Sequence, residues 1–319
     1  MAKIISKKAT TPFSQNGNGQ HKSEPESRLE VLKTYKIYVG GQFPRTESGR
    51  YYIATNSKGS KLANMCLSSR KDFRDAVVSA RGAFGGWSAR AAFNRGQILY
   101  RIGEMLEGRK AQFIDELMKQ DCSRAQAEKE VNTSIDRLIY YSGWCDKFQQ
   151  VFSSVNPVAS SHFNFSSPEP MGVVSVIAPQ QSPLLGLVSV IAPLIAGGNT
   201  CVVLASEKKP LCAVTFAEVL NSSDLPGGVV NILTGQPKEL LSFFSDHMDV
   251  NAMLYAEPDP GSYQLIREKA SLNVKRINTY ENVNWLSDEG QSPYFIMDFQ
   301  EIKTTWHPIE NIGGAKAGY

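Results

Sequence analysis

The stretch from Gly172 to Leu204 constrains this chain most. It reads as an apolar run, Val173–Ile177, then PLLGLVSVIAPLIA from Pro183 to Ala196, then Gly197-Gly198 and a second apolar run from Cys201 to Leu204. A strand with one wet face alternates in polarity; a strand apolar throughout suits a parallel sheet covered on both faces. A helix apolar almost all round must likewise be buried on both sides, and the glycine pair ends it. The unit repeats downstream: helix 210–220, strand 229–233, helix 238–244, strand 250–254, helix 261–271, strand 274–277. Five strands with four intervening helices predict an α/β fold, a doubly wound parallel Rossmann-like sheet. Ligands of such sheets sit beyond the carboxyl ends of the strands, where strand order reverses.

The segments on either side have a different texture. Tyr35 to Ser48 predicts a short hairpin turned at Gly40-Gly41, and Ser48-Gly49 is a second turn. Ser69 is a plausible N-cap for a helix carrying Phe73, Ala76, Val77, Ala80 and Phe84, ended by Gly85-Gly86. Further apolar stripes follow at Ile98, Leu99, Ile102, Met105 and Leu106, then Phe113, Leu117 and Met118. A helix over 126–149 turns Ile135, Leu138, Ile139 and Trp144 inward; all these stripes read as core packing. Residues 153–170 are rich in Ser and Pro around an alternating run, Phe163 and Phe165 on one face and His162 and Asn164 on the other, which suits a hairpin arm. Asp298 to Trp306 alternates too, with Ile302, Thr304 and Trp306 on one side. No crossover helix precedes it, so it is not a sixth strand of the parallel sheet and must pair with a distant segment or another chain.

Composition narrows the function. The 319 residues carry a formal net charge of +3, and no basic cluster is interleaved with aromatics, which argues against a nucleic-acid binder. The longest apolar stretch is too short for a membrane span. Residues 1–28 are polar, lack the apolar segment of a secretory signal and read as a disordered arm; 310–319 read as a flexible tail. The five cysteines, Cys66, Cys122, Cys145, Cys201 and Cys212, form no metal-binding spacing, so no metal is expected and reduced thiols of a cytoplasmic protein are the simplest reading.

Several stretches resemble the aldehyde dehydrogenase superfamily. DFRDAVVSARGAFGGWSARAAFNRGQILYRIGEMLE is similar to the family's N-terminal helices. EPMGVVSVIAP with SPLLGLVSVIAPLIAGGNTCVVLASE is similar to its first Rossmann strand, buried helix and second strand. DLPGGVVNILTG resembles its third strand, and TTWHP the end of its C-terminal oligomerisation strand. The resemblance runs from about Tyr35 to Pro308. It implies a cofactor-binding domain beginning with the hairpin and helices of 29–152, an oligomerisation hairpin at 153–170, a Rossmann-like core at 171–285 and an oligomerisation strand at 286–309. The cofactor-binding positions it implies are Ile177, Ala178, Pro179, Gln180, Ser206, Glu207 and Gly235.

The departures fall on the chemistry. Where the family has Pro-Trp-Asn-Phe-Pro this chain has Pro179-Gln180-Gln181-Ser182-Pro183. Gln181 stands at the Asn whose amide stabilises an oxyanion, one methylene too long. Lys-Pro-Ser-Glu becomes Leu204-Ala205-Ser206-Glu207; the lysine is lost, and a carboxylate left alone on the ribose selects NAD over NADP. Phe-Thr-Gly-Ser becomes Tyr255-Ala256-Glu257-Pro258, which places a carboxylate near phosphates and removes an N–H. The catalytic glutamate position falls on Tyr280, with Glu281 one residue away and otherwise a solvated loop carboxylate. The family's nucleophilic Gly-Gln-x-Cys belongs to a separate catalytic domain, and no cysteine follows Cys212. Fewer than 20 residues link the fifth strand to the tail, too few for that domain. All five thiols read as structural. His162 is expected exposed on the arm, and His247 at a helix end where a cation suits the dipole.

Three functions follow. The first is a catalytically inactive family subunit that assembles with itself or with a full-length aldehyde dehydrogenase. The second is an NAD(P)-dependent oxidoreductase acting on aldehyde groups with unconventional residues, and the third a dinucleotide-binding module. NAD is the cofactor implied, with weak or absent binding expected.

Overall fold

A computed structural model describes residues 31–256 and 259–309. The arm expected at 1–28, the tail at 310–319 and the pair Glu257 and Pro258 lie outside the described residues.

The chain enters through β1 (Thr34–Tyr35), β2 (Tyr51–Thr55) and β3 (Lys61–Cys66), a small sheet ordered β1-β3-β2. The hairpin of β2 and β3 has no counterpart in the sequence reading, because YYIAT and KLANMC carry little apolar alternation. The turn at Gly40-Gly41 forms as expected: Val39 and Gln42 exchange N–H···O bonds of 3.0 Å, and both glycines have positive φ, 63° and 79°. Two positive φ values in succession suit a tight hairpin turn matched to strand twist.

Four long helices follow: α1 (Arg70–Ser88), α2 (Ala92–Gly108), α3 (Lys110–Lys119) and α4 (Arg124–Trp144). Ser69 caps α1 in a capping box with Asp72, and Ser123 caps α4 with Gln126. Each box satisfies amide donors that the first turn leaves free. The expected stop at Gly85-Gly86 is corrected, since α1 runs on to Ser88. Two helical glycines cost about 1 kcal/mol each. Buried Trp87 outweighs this, its indole N–H donating to the Ile195 carbonyl at 3.1 Å. The helix expected over 126–149 breaks after Trp144, and α5 (Phe148–Phe152) is separate. Leu138 is buried and Ile135 and Trp144 pack against the core as expected, but Ile139 is corrected: the buried stripe runs through Ala127, Val131, Ser134, Leu138 and Tyr141 at alternating four- and three-residue spacing, and Ile139 lies one step off it and exposed.

Next come β4 (Ser154–Asn156) and β5 (His162–Pro170), then the doubly wound core: β6 (Val173–Ile177), α6 (Leu185–Ala196), β7 (Thr200–Leu204), α7 (Leu211–Asn221), β8 (Val230–Leu233), α8 (Pro237–Asp246), β9 (Ala252–Ala256), α9 (Pro260–Ala270) and β10 (Arg276–Tyr280). The strands run parallel in the order β10-β9-β6-β7-β8, so strand order reverses between β6 and β9. Every residue of β6, β7, β8, β9 and α6 is buried, which is why those segments are almost wholly apolar; the side chains of Ser175, Ser189, Thr200 and Asn231 are hydrogen-bonded inside the fold. Tyr38 closes the β8 edge through paired bonds with Ile232 of 2.9 and 2.8 Å.

A short link containing α10 (Tyr294–Met297) leads to β11 (Gln300–Pro308). As the alternation predicts, β11 is no part of the parallel sheet. It lies antiparallel along all of β5, in a third sheet ordered β11-β5-β4. His162 is half-buried rather than exposed, its ring edge-on to Trp306 at 5.8 Å. His247 does follow α8 directly, but burial lowers its pKa and favours the neutral ring. The cation at that helix end is Lys275, whose Nζ donates to the carbonyls of Ser245 at 2.8 Å and His247 at 3.0 Å. Burial brings the Lys275 ammonium down to about 8.

Candidate dinucleotide crevice

The crevice lies beyond the carboxyl ends of β6, β7 and β8, where the turns at 177–183, 204–209 and 233–236 meet. Ile177, Ala178, Pro179, Ser206 and Gly235 are buried, and Gln180 and Glu207 are half-buried. The structure therefore brings all seven expected cofactor positions to one rim. They are already bonded to one another there. The Ser206 hydroxyl donates to the Gln180 carbonyl at 2.9 Å, and the Glu207 N–H donates to Gln180 Oε1 at 2.9 Å. Lys209 N–H donates to Ser206 Oγ at 3.0 Å, while Gln180 Nε2 donates back to the Ala178 carbonyl at 3.2 Å. One carboxamide thus laces β6 to β7 across the rim.

The amino end of α6 is equally occupied. In a dinucleotide fold the first βα turn offers free N–H groups and a positive dipole end to phosphate. Here Glu130 of α4 places Oε1 3.0 Å from Leu184 N and 3.2 Å from Leu185 N. Burial raises the Glu130 pKa, and the two backbone N–H groups pull it back down. Packing is tight as well: a Cβ on Gly186 would lie 2.9 Å from Pro179 Cγ. At α9, Asp259 caps its own helix by accepting from Ser262 N at 3.0 Å, and the hydrogen bonds from Ser262 lower its pKa. A chain carboxylate therefore stands at each helix end flanking the switch in strand order, and the residues present do not fit a pyrophosphate.

Gln181 and Glu281 are both exposed. Their loops leave β6 and β10, with β9 between, so they start about 10 Å apart at ordinary strand spacing; the structure does not join them into a site. Tyr280, at the family's glutamate position, is turned inward. Its hydroxyl donates to Asp298 Oδ2 at 2.7 Å and its ring stacks on Phe295 at 4.5 Å. Burial, with Asp298 alongside, drives its pKa up.

No thiol faces this rim in a reactive form. Cys201 is near the amino end of β7, opposite the crevice, and burial pushes it up. Cys145 is pushed up to about 12 by burial, and Cys212 well above its ordinary value by burial and nearby carboxylates. Cys122 is raised by burial, Glu130 and Asp121 adding to the effect; Cys66 is buried. A nucleophilic thiolate needs the opposite environment. Among the described residues there is no group of three or more His, Cys, Asp or Glu able to hold a metal, nor a helix long and apolar enough to cross a membrane.

Sequence reading missed Glu130. Its signal was a carboxylate beside the inward stripe of an otherwise ordinary amphipathic helix, and only the tertiary fold shows that it meets Leu184.

A parallel five-stranded sheet with helices on both faces, a helical N-terminal layer and a separate antiparallel arm define the class: an α/β protein of the dinucleotide-binding type. The sequence profile described as the aldehyde dehydrogenase family matches residues 44–281, and the chain belongs to that family. It is 30% identical over 279 residues to the cytosolic 10-formyltetrahydrofolate dehydrogenase of Mus musculus, covering 84% of this chain and 30% of that protein. It is 28% identical over 286 residues to the human mitochondrial counterpart, covering 88% and 30%. Among solved structures it resembles the NAD+ complex of an aldehyde dehydrogenase from Bacillus cereus, with a TM-score of 0.73 and 22% identity over 77% of this chain and 50% of that one. PnpE in complex with nicotinamide adenine dinucleotide gives the same TM-score and coverage at 26% identity. The chain thus spans about a third of these curated relatives and half of these solved structures.

Proposed function

We propose that this chain is a non-catalytic member of the aldehyde dehydrogenase family that acts by assembly, with itself or with a full-length aldehyde dehydrogenase. One observation carries the reading. The path from β10 to β11 consists of residues 281–299 alone, and it is pinned down. Arg137 of α4, buried, donates to the carbonyls of Trp285, at 2.9 Å, and Gly290, and to Ser189 Oγ at 2.7 Å. Trp285, Ile296 and Phe299 are buried there. The family's nucleophile-bearing domain has no place in that link. The laced crevice, the raised thiols and the exposed Gln181 support the same reading, as does β11, kept intact while the chemistry is lost. NAD binding is weak or absent on this account.

Two experiments test it. In a steady-state assay with NAD and a panel of aldehydes, the expected result is no NADH above background; turnover that survives replacement of all five cysteines would contradict the proposal and exclude a thiohemiacetal route. Size exclusion after co-expression with a full-length aldehyde dehydrogenase is expected to show co-elution or a homo-oligomer. A strictly monomeric chain that binds nothing sinks the assembly reading.

A further inference from the structure

The last turns of α8 carry two adjacent phenylalanines, Phe243 and Phe244, and His247 and Met248 follow directly. Neighbouring residues of a helix do not share a face. Phe244 is buried and stacks on Phe73 of α1 at 4.0 Å, which leaves Phe243 half-buried at the surface. Beside it the start of α1 brings Arg70 and Arg74, four residues apart and so on one side of the helix. Between the two helices lies a cavity of about 400 Å³ whose apolar lining is Phe73, Phe243 and Met248. Apolar walls with a few convergent polar groups are the usual make-up of a small-molecule site.

Most of the polar groups there are already engaged. Arg74 makes two bonds to Asp75 Oδ1, at 3.1 and 2.8 Å. Asp246 stands 3.9 Å from Lys269. Arg70 is different. Its guanidinium lies over the Phe243 ring, 5.3 Å from the centroid, and among the described residues it has neither a carboxylate partner nor a side-chain hydrogen bond. His247 supplies a second donor. Its Nδ1 accepts from the Asp249 N–H at 3.3 Å, which leaves the ring proton on Nε2. Burial keeps that ring neutral, and the Arg70 charge adds to the effect.

These groups select among ligands. A guanidinium presents a planar fork that matches a carboxylate. A phosphate dianion needs more donors than one guanidinium and a neutral imidazole offer, and it would meet the Asp246 carboxylate, which also lines the cavity. A ligand ammonium would find Arg70 already over the ring face that cations prefer. The lining of phenyl rings and a thioether suits a flat aromatic body, and Met248, 74% exposed, is adaptable enough to cover it.

We propose that this cavity binds a small aromatic carboxylate, its carboxyl group held by the Arg70 fork and His247 Nε2–H and its ring set on Phe243 and Met248. None of these residues belongs to the crevice or to the arm, so the site goes beyond the assembly reading and stands or falls apart from it.

The test titrates the full chain with naphthoate while the methyl resonances of isotope-labelled methionines are followed, Met248 being assigned with Met248→Leu. The expected result is saturation with a dissociation constant below about 1 mM and a shift of the Met248 methyl. Uncharged naphthalenemethanol should bind about tenfold more weakly, the scale of one charge-assisted hydrogen bond. In Arg70→Gln that preference for the acid should vanish, whereas a merely structural role of Arg70 would leave the ratio of the two ligands unchanged. Arg70→Lys, which keeps the charge without the fork, should fall between, and circular dichroism confirms that both variants fold. Equal binding of acid and alcohol, tighter binding of naphthylmethylamine, or a preference that persists in Arg70→Gln overturns the carboxylate assignment. Saturation without a shift at Met248, or no saturation below about 1 mM, overturns the site itself.

Discussion

The two main sheets of this protein are built on opposite plans. The parallel sheet is buried on both faces from β6 to β9, one edge is closed by Tyr38, and the turns at its carboxyl ends are cross-bonded by Gln180 and Glu130. The β4-β5-β11 sheet stands with apolar groups exposed on both faces, Val155 and Phe163 on one and Ile302 and Trp306 on the other, and among the described residues no further strand pairs with the outer edge of β11. Where the first sheet consumes its polar groups internally, the second leaves them available. On the proposed reading, the difference teaches that the arm is the surface offered to a partner and that the parallel sheet serves as its support.

Substitutions in the two sheets should separate these roles. The largest loss is expected for Arg137→Ala, which strips the buried carbonyls of Trp285 and Gly290 of their donor and frees residues 281–299. A cost of about 4 kcal/mol in urea unfolding fits such a buried network; a change below about 1 kcal/mol would show that the link is not held there. Ile191→Ala, in the all-buried helix α6, is expected to cost about 3 kcal/mol.

Glu130→Ala leaves Leu184 and Leu185 N–H unpaired and should cost about 2 kcal/mol, whereas Glu130→Gln keeps an accepting oxygen and costs less. The pH dependence has a definite sign. Burial raises the folded-state pKa of Glu130 above its ordinary 4.5, so the folded chain holds that proton more tightly than the unfolded one. Its contribution is therefore most favourable below 4.5 and declines as pH climbs through the raised value. The Glu130→Gln variant lacks this decline, so wild type should lose ground to it as pH rises across that window. Parallel curves would mean that Glu130 is not buried as described. The smallest effect belongs to the arm. Ile302→Ala should shift fold stability by less than about 0.5 kcal/mol while weakening self-association measured by sedimentation.

Much of this was legible in the residues. The five parallel strands could be read because burial on both faces leaves VVSVI and TCVVL almost wholly apolar, their single hydroxyls on Ser175 and Thr200 each spent on a backbone carbonyl, and β11 could be set apart because it alternates and lacks a crossover helix. What stayed hidden depends on distant contacts. Ser206, Glu207 and Gln180 look like ligand groups in one dimension, and only the fold shows them spent on one another. Glu130 is 54 residues from Leu184, and no local spacing encodes that meeting. The run through Gly85-Gly86 was lost for the same reason: Trp87 anchors on Ile195, more than a hundred residues away.

The proposed function requires that the chain's own groups keep a dinucleotide out of the crevice. Calorimetric titration of the intact chain with NAD+ tests it most directly. The expected result is binding weaker than about 1 mM. A dissociation constant in the range of about 1 to 100 μM, lost on Glu207→Ala, would show that Gln180 and Glu130 give way to the cofactor and would contradict it.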